Sequence, residues 1–142
     1  MYFRLLLMLA VIQFSFSGYS QEMEEKTVDV GDFIVFGKYT GKNQYKFIDK
    51  YKKSRVVDTS ITYDTVSGEG FYSYFFSEGD FDPSKLPGIY KGKQFKIISL
   101  EVFKDKNTKE DRRVLFIQLE EKNTIAWVEF DKAIESGELI IP

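Results

Sequence analysis

Beyond residue 20, apolar and aromatic residues recur at close to every second position, and the stretches between them are rich in Gly, Asn, Asp and Lys. A period of two is that of a pleated strand, whose side chains alternate between faces, whereas a helix repeats every 3.6 residues. The pattern predicts an all-β protein, a small antiparallel barrel or sandwich with one short helical turn near 131–136.

Residues 33–36 and 44–51 read as strands around the turn Tyr39-Thr40-Gly41-Lys42-Asn43. In 55–65, Val57, Ile61 and Tyr63 alternate with Asp58, Ser60, Thr62 and Asp64, which predicts a half-buried strand with one wet face. Residues 71–76 follow as another strand after the turn Ser67-Gly68-Glu69-Gly70. Later, 94–103 and 113–119 flank a charged segment, 104–112, that lacks apolar residues and is expected to be an exposed hairpin loop. A turn at 121–124 leads into 125–130; Asp131 is a candidate N-cap for a helical turn over 132–136 that Gly137 would end, and 138–141 closes as a last strand.

Strand, charged loop, strand, tight turn, strand, helical turn, short strand resembles the element order of a small barrel of the Src-homology-3 type. The resemblance covers residues 87–142 and is one of pattern, without a shared motif. Aligning 37–48 with 88–98, and omitting Asn43, gives seven identities in eleven pairs, including Gly37 with Gly88 and Tyr39 with Tyr90. Two readings follow: two related β units, 37–87 and 88–142, packed as one body, or hairpins that converge on Gly-Lys turns.

The first twenty residues have a different character. One cation, Arg4, precedes a twelve-residue apolar run, 5–16, and small residues then surround Tyr19 before the acidic stretch that begins at Gln21. This is the layout of an export leader, too short to span a bilayer, with cleavage expected before Gln21. Removing 20 of 142 residues leaves 122, one domain at 21–142, expected to be soluble and without a membrane span. Export without cysteine suits a bacterial periplasm or secreted fraction. With Arg4 gone, 19 basic residues face 22 acidic ones, both signs interspersed, so nucleic acid is not an expected partner. The lysines between 38 and 53 suit a solvated edge strand.

The chain has no histidine and no cysteine, which removes thiol chemistry, Ser-His relays and the usual zinc ligands. Carboxylate chemistry remains. Asp58 and Asp64 would lie roughly 20 Å apart on one strand, too far for a glycosidase pair. Glu78, Asp80 and Asp82 alternate before Pro83, but without the long calcium loop they read as a polar turn. No metal and no cofactor are expected.

Aromatic residues are in excess. The 24 in the chain, less Tyr2, Phe3, Phe14, Phe16 and Tyr19, leave 19 beyond the leader. Several predicted strands are apolar on both faces: Leu115, Ile117 and Leu119 oppose Val114 and Phe116, while Ala126, Val128 and Phe130 oppose Ile125 and Trp127. One set fills a barrel. The other meets either the first half of the chain or an external ligand. Tyr39, Tyr72, Tyr74, Tyr90, Phe116 and Trp127 are therefore the candidate ligand-binding residues, Tyr72 and Tyr74 being expected on one strand face. The expected function is a non-catalytic binding module for a peptide, a cell-envelope glycan or a partner protein. The alternatives are a carboxylate-dependent glycan-processing enzyme and a structural envelope component.

Overall fold

A computed structural model describes residues 27–55 and 60–142, so the leader, Val57 and Asp58 lie outside the described residues. The fold is all-β. Seven strands, β1 (Phe33–Phe36), β2 (Gln44–Arg55), β3 (Asp80–Pro87), β4 (Gln94–Lys104), β5 (Asp111–Gln118), β6 (Thr124–Glu129) and β7 (Leu139–Ile140), form one antiparallel sheet in the order β3-β2-β6-β5-β4-β1-β7. Among the described residues two short helices accompany it, α1 (Phe71–Phe76) and α2 (Phe130–Ser136), with a 3-10 turn at Gly88–Tyr90. Neither helix is long and apolar enough to cross a membrane.

The second half follows its sequence pattern. β4 and β5 flank the charged turn, where Asp105 accepts the N–H groups of Asn107 and Thr108. The β5–β6 turn places Asn123 at a positive φ of 59°, which Asn tolerates better than most residues. Gly137, at φ 83°, ends α2 in the left-handed conformation that a glycine C-cap provides. The N-cap is Glu129 rather than Asp131, which lies in the first turn of α2 and pairs there with Arg113.

The first half departs from the expectation in three places. Residues 71–76 form a helix instead of a strand: Gly70 turns the chain with a positive φ, and the buried side chains are Phe71 and Phe75, four apart and thus on one helical face. Residues 60–65 are not a strand; β2 runs to Arg55. The third departure is at the sheet edge. β2 is internal, because Asp80 to Pro87 continues past the expected turn to form β3 alongside it. β3 carries Pro83 and Pro87 with Asp82 and Lys85, the residue types that blunt an exposed edge.

The sheet curls around an inner core built from Ile34, Phe36, Tyr45, Ile48, Ile117 and Val128, among others. At the curl, β7 approaches the start of β2. There a register irregularity between Gln44 and Asp49 releases two successive N–H groups, those of Lys46 and Phe47, and both donate to the Glu138 carboxylate at 2.8 Å. Thr40 adds its N–H and its hydroxyl, each at 2.8 Å. Glu138 is fully buried, so its carboxylate supplies the acceptors that a neighbouring strand would otherwise offer. Gly37 completes the junction: its N–H donates to the Glu138 carbonyl, and a side chain there would run into Gly137.

Candidate functional site

β5 and β6 carry apolar residues on both faces, and the face turned away from the barrel forms a second core. Phe116 and Trp127 sit directly opposite each other across the β5–β6 ladder, rings 5.1 Å apart and edge-to-face. Val114 and Ile125 flank them, and α1 lies on top with Phe71 and Phe75 buried against them. This covering comes from the first half of the chain.

Two contacts hold α1 down. At its start, Ser99 of β4 donates its hydroxyl to the Gly68 carbonyl at 2.8 Å, and Gly68, at φ 76°, lies so close to β4 that a Cβ would collide with the backbone of Ile98 and Ser99. At its end, the Lys53 ammonium donates to the Phe75 carbonyl at 2.9 Å and lies over the rings of Phe75 and Phe81. Burial lowers the pKa of that lysine, with Glu78 opposing.

The six sequence candidates separate. Phe116 is fully buried. Trp127 is half-buried: Phe103 stacks on it at 5.4 Å with an interplanar angle of 13°, Tyr51 approaches at 5.8 Å, and its indole N–H donates to Glu129. Tyr72 and Tyr74 are each 37% exposed on α1. They do not share a face, since two residues on a helix are separated by more than half a turn. Tyr72 leans on Phe76, Phe103, Phe116 and Trp127, whereas Tyr74 packs on Tyr63 at 4.8 Å. The structure thus brings Tyr72, Phe116 and Trp127 together, with Tyr74 on the adjoining helix side. Neither the Tyr72 nor the Tyr74 hydroxyl makes a hydrogen bond among the described residues, although Tyr72 lies near Tyr51 and Tyr74 near Tyr63.

Tyr39 and Tyr90 belong to the inner core. Tyr39 packs on Tyr45 and against Gly88. Tyr90 is buried and donates to Glu120 at 2.8 Å; burial first, then that hydrogen bond, pushes its pKa up to about 12. Tyr45 is likewise pushed up to about 12, by burial and then by Glu138 and Tyr39.

Tyr63 and Phe103 were not among the candidates but complete the outer layer. Phe103 reaches it through the bulge between Ile97 and Ser99, which transfers the odd-numbered residues of β4 from the inner face to the outer. A simple alternation starting from Ile97 places Phe103 inside, which is why the pattern misses it.

A second concavity, of about 540 Å³, opens where β6 ends. Its lining is almost wholly charged, from Lys46, Asp49 and Lys85 on the β2–β3 side to Asp105, Glu110 and Asp111 at the hairpin, Arg113 on β5, and Asp131 and Lys132 at the start of α2. Cations already engage several of the acids: Lys85 meets Asp49, Arg112 meets Glu129 and Arg113 meets Asp131. The Asn107 and Thr108 N–H groups hold Asp105 below the usual carboxylate range. No group of three or more potential metal ligands is found among the described residues. Compared with family models, curated proteins and solved structures, the chain matches none.

Proposed function

We propose that this chain is an exported, non-catalytic binding module that contacts its ligand through Tyr72 and Tyr74. The supporting observation is their setting: two tyrosines, more than a third exposed, stand with unbonded hydroxyls on a helix fixed to a continuous aromatic layer. Tyrosine offers flat apolar area and a polar tip at low entropic cost, and a rigid base lowers the ordering cost of binding. Phe116 and Trp127 serve in this reading as the support beneath the contact residues, since their faces are already packed. The ligand classes are a peptide, a cell-envelope glycan or a partner protein.

Glycan processing by paired carboxylates would have to use the charged cleft. That reading is less favoured, because a general acid needs a carboxyl held protonated, and four of the six acids there lie beside cations or accept backbone N–H groups, while the other two, Glu110 and Asp111, are exposed to water.

The single tryptophan, in ring contact with Tyr72, is a built-in reporter. Titration with soluble peptidoglycan fragments, which carry both glycan and peptide, is expected to change Trp127 fluorescence saturably. The Tyr72→Ser/Tyr74→Ser variant is expected to keep its melting temperature within a few degrees and lose that response. A response unchanged in the double variant, or none in the wild type, contradicts the proposal.

A further inference from the structure

The charged cleft has a topological origin. β6 pairs with β2 only from Ile48 to Lys52, and its last partner on β5 is Val114. Beyond those pairs β2 runs on to Gln44 and β5 back to Asp111, and among the described residues no strand lies between them. A sheet that splits in this way leaves a crevice walled by backbone that is held rigidly elsewhere, and a pre-formed concavity is where a small ligand can be surrounded. The Glu138 clasp fixes one wall, because it binds the N–H groups of Lys46 and Phe47. The ordered turn at Asp105 fixes the other.

The charges of the lining do not all cancel internally. Once the pairs Lys85–Asp49, Arg112–Glu129 and Arg113–Asp131 are set aside, Lys46 and Lys132 remain without an ion-pair partner among the described residues, as do Asp105, Glu110 and Asp111; Asp105 is occupied by backbone N–H groups and feels the Lys132 charge at longer range. The two ammonium groups belong to β2 and α2, and the three carboxylates to the β4–β5 hairpin, where Glu110 and Asp111 are the two that accept no backbone N–H among the described residues. A polyanion would meet six carboxylates in the lining, and an apolar ligand would find one aromatic side chain, that of Phe47. A ligand with one charge of each sign fits both walls.

We propose that this cleft binds a short peptide with free termini, its carboxylate toward Lys46 and Lys132 and its ammonium toward Glu110 and Asp111. All four side chains are exposed, so each contact is weak and the affinity is modest. The site is separate from the tyrosine surface on α1, and its test does not depend on that surface.

Amide NMR of the full chain, titrated with trialanine at low salt, is the direct experiment. Localised shifts at Lys46, Phe47, Glu110, Asp111 and Lys132 are expected, and they should weaken about tenfold when both termini are blocked as N-acetyl-trialanine amide. Lys132→Gln and Glu110→Gln should each weaken binding about threefold, since both are exposed and neither holds the fold. Absence of localised shifts overturns the proposal, as do equal shifts from the blocked peptide. The Tyr72→Ser/Tyr74→Ser variant should respond to trialanine as the wild type does; loss of the shifts there would assign the peptide to the aromatic surface and overturn the cleft proposal.

Discussion

Glu138 shows how one side chain can stand in for a strand. Its carboxylate takes four donors from Thr40, Lys46 and Phe47, and removing it would leave those N–H groups without acceptors in the junction between β7 and β2. Stranded donors cost about 1–3 kcal/mol each when water cannot reach them. Glu138→Ala is therefore expected to lose roughly 3 kcal/mol in urea unfolding. An unchanged midpoint would mean that the clasp contributes nothing.

The buried tyrosines make a prediction about pH. Tyr45 and Tyr90 hold their protons up to about pH 12 in the folded state, two units above an ordinary tyrosine at 10.0. Between those values the unfolded chain ionises first and the folded chain binds more protons, so stability is intact below pH 10 and falls as pH rises toward 12. The slope is roughly 1 kcal/mol per pH unit for each tyrosine. Tyr90→Phe should make the alkaline decline shallower in denaturant titrations; an identical slope would show that Tyr90 titrates normally.

At the scale of elements, α1 depends on the close approach of Gly68 to β4. Gly68→Ala adds a methyl that meets the backbone of Ile98 and Ser99 at a positive φ, and is expected to destabilise by more than about 1 kcal/mol and to shift Trp127 emission to the red. Wild-type emission and stability in that variant would show that α1 is not fixed there.

α1 also marks where the sequence stops being legible. β4, β5, β6 and β7 are readable because alternating apolar residues are broken by Asn, Asp and Gly at the turns. The run Phe-Tyr-Ser-Tyr-Phe-Phe has too little polarity to show a period, so the apolar face it must cover decides between strand and helix. β3 fails for the opposite reason. An edge strand with one buried residue, Leu86, and two prolines looks like a turn when its neighbour cannot be seen. The same limit applies to the candidate site: the aromatic excess and the two-faced strands pointed to the outer layer, but the β4 bulge and the helical phase of Tyr72 and Tyr74 depend on tertiary contacts.

For the whole molecule, the sheet is apolar on both sides and the chain covers most of both, the inner side by curling and the outer by α1 with Tyr51, Tyr63 and Phe81, while Leu100 and Val102 of β4 stay exposed. Only three aromatic residues among the described ones are exposed by more than a third, Phe33, Tyr72 and Tyr74. Trp127, with Phe103 and Tyr51 on its faces, is a packing residue: Trp127→Ala is expected to cost about 3 kcal/mol, and an unaltered melting curve would return it to the surface.

The most direct test of the double core compares Phe116→Ala with Ile117→Ala by equilibrium urea unfolding, because these neighbours on β5 point to opposite faces and both are fully buried. Each variant is predicted to lose about 3 kcal/mol or more. A Phe116→Ala protein within about 0.5 kcal/mol of wild type, beside an Ile117→Ala protein that loses several, would leave the outer face uncovered and contradict the account.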